Sequence, residues 1–134
     1  MKSFTDGIRR RKLQIRPEQL NTLTAAQEAD FRRRLRETLR EDYPEDCEEL
    51  GDDRLAVVLN DGIGRARSYG IQTEEDIGLY FDVMFNLAYN FDTNRKYPWA
   101  AKILKDTALT AEDKLRQVSA LAQEELDKEA AEEE

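Results

Sequence analysis

The chain reads as an all-α protein: a single-domain helical bundle of four main helices plus short ones, built around an apolar central helix near residues 74–90. Three observations predict this class. Apolar residues recur at helical spacing, as in Phe31, Leu35 and Leu39, which is the stripe a helix buries against a core. The segments carrying such stripes open on residues that satisfy free backbone N–H groups: Thr24 with Gln27, then Thr73, then Thr110. No convincing pair of alternating strands and no internal repeat is present. At 134 residues the chain has the size of one domain and is too short for two ordinary ones.

Each element follows in order. Residues 1–16 show no sustained period and are expected to be a mobile basic segment, in which Leu13 and Ile15 alternate with polar residues. Pro17 suits a first helical turn, so a short helix is expected over residues 17–22, opening a helical domain of residues 17–123. Thr24 and Gln27 form a capping box for a helix reaching about Asp42, ended by Tyr43-Pro44 because proline disfavours helical geometry in the residue before it. An acidic turn over residues 45–50 leads to Gly51 and a cap at Asp52. The helix expected next, over residues 53–69, buries Leu55, Val58, Leu59 and Ala66, with Ile63 and Tyr69 at its margin. Gly62 and Gly64 each weaken it by about 1 kcal/mol relative to alanine, which points to close packing or a kink. Gly70 suits a left-handed terminator.

Thr73 caps the central helix, with Glu74, Glu75 and Asp76 at the positive end of its dipole. Its apolar residues, among them Ile77, Tyr80, Phe81, Met84 and Phe85, cover most of the circumference. A turn-rich loop over residues 90–94 precedes a short helix from Pro98 that carries Trp99, Ala100, Ile103 and Leu104. The last helix, residues 111–130, presents Leu115, Val118, Leu121, Ala122 and Leu126. Residues 124–134 are expected to be an acidic tail that frays into solvent.

Composition excludes much of enzymology. Histidine is absent, which removes histidine-based nucleophile systems, general bases and metal sites. The single cysteine, Cys47, permits neither an intrachain disulfide nor a thiolate cage and fits a reducing cytoplasm. Neither a dinucleotide fingerprint nor a phosphate loop occurs. The longest apolar stretch, residues 77–91, is broken by Gly78, Asp82, Asn86 and Asn90 and does not suit a membrane span. The first residues lack an apolar core with a cleavage site, so no signal peptide is expected. No cofactor and no membrane contact are expected, and the predicted location is cytoplasmic.

Charge divides the chain unevenly. Residues 1–40 hold eleven Lys/Arg against five acids, whereas residues 41–134 hold ten against twenty-four. The clusters Arg9–Lys12 and Arg32, Arg33, Arg34, Arg36 resemble phosphate-binding sites only superficially, because no aromatic residues interleave with them and the helical arginines spread around the axis. Nucleic acid is therefore not the expected partner. The arginines up to Arg40 are expected to meet acidic surface, from the same chain or from a protein partner.

Three other patterns bear on chemistry. Asp92-x-Asn94 begins like a calcium loop, but Lys96, Tyr97 and Ile103 stand where later ligands and the turn glycine are required. Glu45, Glu48 and Asp52 have the spacing of a hard-cation site on one helix, which needs a second acidic pair facing it. Glu74–Asp76 is already explained by capping. Tyr97-Pro98-Trp99 sets two bulky aromatics around a rigid proline between helices, an arrangement suited to anchoring an interface. Packing of Trp99 onto the core is the plainer account of that residue. Tyr97, Pro98 and Trp99, with Arg32, Arg33 and Arg36, are thus the candidate partner-binding residues, and no residue is assigned a catalytic or metal-binding role.

Residues 62–76, from Gly62-Ile63-Gly64-Arg65-Ala66-Arg67 to Thr73-Glu74-Glu75-Asp76, together with Met84-Phe85, Phe91-Asp92-Thr93 and Pro98-Trp99-Ala100, resemble a pattern in small helical bacterial proteins encoded beside type VI secretion spikes and their toxic cargo. The similar part covers about residues 13–108, beginning at the Ile15-Arg16-Pro17-Glu18-Gln19-Leu20 segment. The resemblance implies an accessory role in secretion or toxin control and carries no active residues with it. The basic N-terminal extension and the long acidic final helix depart from the pattern. The expected function is a non-enzymatic protein-binding accessory, an adaptor or chaperone for a secreted toxin or secretion spike. Its alternatives are an immunity protein whose acidic surface blocks a toxin's basic site, and a metal-dependent helical hydrolase using Glu45, Glu48 and Asp52.

Overall fold

The computed structural model describes residues 23–132. The basic segment and the short helix expected at Pro17 lie outside these residues, as do the last two residues of the acidic tail. Five helices and no strand occur among the described residues: α1 (Ala25–Asp42), α2 (Pro44–Ser68), α3 (Glu74–Asn86), α4 (Pro98–Leu104) and α5 (Ala111–Glu132). The all-α bundle is therefore as expected. Helices α1, α2 and α3 pack in succession, after which α5 returns against α3 and also holds α4.

Local chemistry sets most helix starts. Thr24 Oγ1 accepts from the Gln27 backbone N–H at 3.1 Å while Gln27 Oε1 accepts from that of Thr24 at 2.9 Å, closing the expected capping box. Thr73 Oγ1 and Thr110 Oγ1 accept from the backbone N–H of Asp76 and Asp113, each at 3.1 Å. Pro44 and Pro98 stand in the first turns of α2 and α4, where a missing N–H costs nothing.

Two boundaries differ from the sequence expectation. The acidic segment 45–50 is helical, since Pro44 starts the helix and Glu45 and Asp46 favour its positive end. It joins residues 52–68 through a break at Gly51, whose φ of +80° suits glycine. Asp52 follows that break, and its carboxylate accepts from Arg40 Nη2 at 2.7 Å. Helix α3 stops at Asn86, four residues early, because the chain turns at Leu87 to carry Phe91 and Asp92 back inside. At the other end α5 stays helical through Glu132, so residues 124–132 of the expected tail have regular structure.

The core is centred on α3. Ile77, Tyr80, Phe81 and Val83 have no exposed surface, and Phe31, Leu35 and Leu39 of α1 are equally buried. Leu55, Leu59, Ile63 and Ala66 of α2 and Leu115, Val118 and Ala122 of α5 complete it. Phe85 is half-buried, with its ring 5.1 Å from that of Tyr43 on one side and 5.1 Å from that of Tyr89 on the other. The fully buried Phe81 is the larger anchor.

The two glycines of α2 have opposite roles. A Cβ on Gly62 would lie 2.5 Å from Phe81 Cζ and 3.0 Å from Met84 Sδ, so α2 and α3 touch there because no side chain intervenes. A Cβ on Gly64 would meet nothing within 4 Å. Gly62→Ala should therefore destabilise the protein by about 1–3 kcal/mol through overpacking. Gly64→Ala should stabilise it by about 0.5–1 kcal/mol through helix propensity. Denaturant unfolding of both variants checks the opposite signs; equal effects would contradict the close contact.

Candidate functional site

The arginines of α1 meet acids of their own chain. Arg32 Nε donates to Glu28 Oε2 at 2.9 Å, and its Nη1 donates to the Asn60 side-chain oxygen. Arg33 reaches Asp30 at 2.6 Å and Glu37 at 3.2 Å. Arg34 bridges Asp30 at 2.8 Å and Glu74 of α3 at 2.9 Å. Arg67 of α2 grips Glu28 with both terminal nitrogens, at 3.0 and 2.8 Å. These hydrogen bonds, from Arg67 first, hold the Glu28 carboxyl below its ordinary range of about 4.5. Of the candidate binding residues on α1, only the half-buried Arg36 has no carboxylate partner among the described residues. The expectation that this helix faces acidic surface is met within the fold.

The Tyr97–Trp99 segment divides differently from the expectation. Tyr97 is only 4% exposed and caps α4 from inside the core, so its ring is not available to a partner. Trp99 is half-buried against the same core, 5.9 Å from the Tyr97 ring, and Pro98 is exposed. The burial follows from the loop before it. Phe91 N–H and Thr93 N–H donate to Ala88 and Asn90 carbonyls, both at 3.0 Å, and this turn drives the ring of Phe91 and the carboxylate of Asp92 into the molecule.

Asp92 ends up 1% exposed and is held from α2. Arg65 Nη2 and Nε both donate to its oxygens, the latter at 3.1 Å, and Tyr69 donates its hydroxyl to Oδ2 at 2.6 Å. Arg65 also reaches the exposed Asp61 at 2.9 Å. Burial works against the Arg65 charge, but the hydrogen bonds to Asp61 and Asp92 outweigh it and raise its pKa. Burial first raises the pKa values of Tyr69 and Tyr80; the hydrogen bond to Asp92 adds to it at Tyr69, and the Asp92 charge at Tyr80. The Tyr80 hydroxyl is buried without a partner. Such a set is a structural clasp: its carboxylate is fully used, and no acid–base pair faces open space. Asp92, which opened the calcium-like pattern, thus has its role in this clasp.

A second buried polar group joins α2 to α3. Tyr43 donates to Asp82 Oδ1 at 2.6 Å, and Asn86 Nδ2 donates to the Tyr43 oxygen at 2.9 Å. Cys47 is buried nearby in sequence, and burial pushes its thiol pKa up, away from nucleophilic chemistry. Glu45, Glu48 and Asp52 are all exposed, and no group of three candidate ligands converges on one point among the described residues.

One outward corner is acidic. Tyr89, 37% exposed, meets the Phe85 ring edge to face beside Asp46 and Glu49, whose charges add to burial in raising its pKa. Asp46 is itself raised, by burial and then by Glu49 and Glu45. This aromatic corner with three acids was not singled out from sequence. Its signal was the aromatic pair Phe85 and Tyr89 one turn apart, hidden because the central helix was expected to extend over both. Val57 is also exposed, at 66%, on the outer face of α2. No helix among the described residues is long and apolar enough to cross a membrane.

Two outcomes test these pairings. Arg65→Met leaves Asp92 buried without its cation and should cost about 3 kcal/mol or more. Asp61→Asn, which breaks only the exposed arm, should cost about 0–1 kcal/mol. Glu28 has its folded pKa depressed, so its contribution is present above pH 4.5 and is lost as pH falls through the folded value. Glu28→Gln should therefore be less stable than the parent at neutral pH, with the difference closing in acid; a constant difference across denaturation curves at several pH values contradicts the pairing. No known protein family, curated protein or solved structure matches this chain.

Proposed function

We propose that the protein is a non-enzymatic binding accessory, an adaptor or chaperone for a bacterial secreted toxin or secretion spike. One observation carries the binding part of this reading. The arginines of α1 are mostly paired inside the fold, so the face left to a partner is acidic and has an exposed aromatic residue, Tyr89, beside Asp46 and Glu49. Surface of that kind suits a basic partner, because complementary charge speeds encounter while a desolvated aromatic ring supplies contact energy. Trp99, Pro98 and Arg36 remain as secondary contacts on the solvent side. The secretion setting rests on the resemblance of residues 13–108 alone.

The same acidic face supports the second reading, an immunity protein seated on a toxin's basic active site. Deleting the gene from its host separates the two. Loss of toxin export with normal growth supports the adaptor, whereas self-poisoning supports immunity. Capture from that host with the parent chain, compared with a Tyr89→Ala, Asp46→Arg, Glu49→Arg variant, locates the surface. The variant should lose the partner. Retention of the same partner by the variant excludes the acidic corner, and normal export with normal growth after deletion overturns both readings. Turnover of a phosphate ester with magnesium, abolished by Glu45→Gln, would instead establish the hydrolase alternative.

A further inference from the structure

A cavity of about 610 Å³ opens where the end of α2 meets the 105–111 segment and the start of α5. Its apolar lining includes Leu104, Leu109 and the Tyr69 side, and its polar lining includes Ser68, Thr107 and two lysines. The size is within the range of small-molecule sites, and the mixture of apolar wall with a few polar groups is their usual character.

Lys114 is the unusual member. It is 7% exposed, and its Nζ donates to the Tyr69 carbonyl at 2.8 Å. Among the described residues no carboxylate lies within ion-pair distance of it. The neighbouring acids on the same turn do not answer it: Asp113 pairs with Arg116 at 2.7 Å, and Glu112 is exposed. An ammonium has three donors, and a buried cation is retained at least cost when an anion answers it. The position adds to the demand, since Lys114 stands in the first turn of α5, where the helix dipole is already positive. Lys105, exposed at the cavity wall, supplies a second positive charge.

We propose that this cavity binds a small organic carboxylate with a short apolar body, its anionic group on Lys114 and its body against Leu104, Leu109 and Tyr69. A singly charged carboxylate fits better than a phosphate, because no arginine lines the cavity and only one of the two ammonium groups is buried. The site is separate from the acidic corner around Tyr89 and independent of the protein-binding reading.

The probes are 4-phenylbutyrate, its alcohol 4-phenylbutanol, phenyl phosphate, and a short acetylated peptide ending in a free phenylalanine carboxylate. Each is titrated into the full chain while backbone amide resonances are followed by NMR. Saturable shifts at Tyr69, Gly70, Thr107 and Leu109 are expected with phenylbutyrate, with the alcohol weaker by about tenfold. Lys114→Met, which keeps the side-chain length, should weaken phenylbutyrate by about tenfold or more while the amide dispersion of a folded chain persists. Should that variant fail to fold, Thr107→Trp decides the matter by filling the cavity from its exposed rim and should abolish the shifts. Equal affinity for acid and alcohol, undiminished binding in either variant, or no shifts at millimolar phenylbutyrate overturns the proposal. Tighter binding of phenyl phosphate overturns the choice of carboxylate, and tighter binding of the peptide overturns the small-molecule occupant.

Discussion

The buried pairing of Arg65 with Asp92 is the contact on which the second half of the molecule depends. A carboxylate that is 1% exposed persists only if its charge is answered, and Arg65 answers it from the last turn of α2 while Tyr69, at the cap, adds a hydroxyl. Because Asp92 is held there, the loop after α3 must fold inward at Phe91. Phe91 then packs its ring 5.1 Å from that of Tyr80. The inward loop in turn places Tyr97 in the core and sets the start of α4. The same Tyr69 offers its carbonyl to Lys114, so α5 is tied to the end of α2 through the residue that helps to hold Asp92. Two separate stretches of chain, the Asp92 loop and α5, therefore meet at one tyrosine at the end of α2.

Electrostatics is organised on a similar economy of partners. A net charge of −8 implies self-repulsion, and an arginine-rich helix might have been kept free to counter it at a distance. Instead α1 spends its cations on short contacts, to Glu28, Asp30 and Glu37 on its own surface and to Glu74 across the α1–α3 contact. Most of these pairs are exposed and contribute little to stability singly. Their larger consequence is spatial: positive charge is quenched near the α1–α2 and α1–α3 seams, while of the acids over residues 45–53 Asp52 is answered by Arg40, and near the end of α5 Glu129 is answered by Lys96. The resulting surface is acidic in patches, although the sequence begins strongly basic.

Much of the fold was legible because its signals are local. Capping by Thr24, Thr73 and Thr110, the proline starts and the stripe of Phe31, Leu35 and Leu39 all act within a few residues, and each appears where the chain predicts it. The errors share a cause. Residues 87–90 have helical composition, but a tertiary contact, Asp92 to Arg65, pulls the chain away from the helix axis. Tyr97 looks like an exposed anchor from its proline neighbour, yet the inward turn before it determines its burial. Gly62 and Gly64 are indistinguishable in sequence, and only the position of Phe81 separates a packing glycine from a tolerated one. The candidate site was less legible than the fold for the same reason, since Tyr89 beside Asp46 and Lys114 beside Tyr69 are juxtapositions across more than forty positions in each case.

Those juxtapositions also set what this chain's polar interior is bonded to. Here the buried acids are already engaged: Asp92 with Arg65 and Tyr69, Asp82 with Tyr43, and Glu74 through one oxygen with Arg34. Cys47 is shielded and shifted away from its thiolate. Lys114 differs from them in lining an open cavity with a charge that no carboxylate answers among the described residues. The interior polar groups therefore divide by what faces them. Most of those facing protein hold helices together, and Lys114, which lines a cavity, spends one donor on the Tyr69 carbonyl and is the group that the proposed carboxylate would meet.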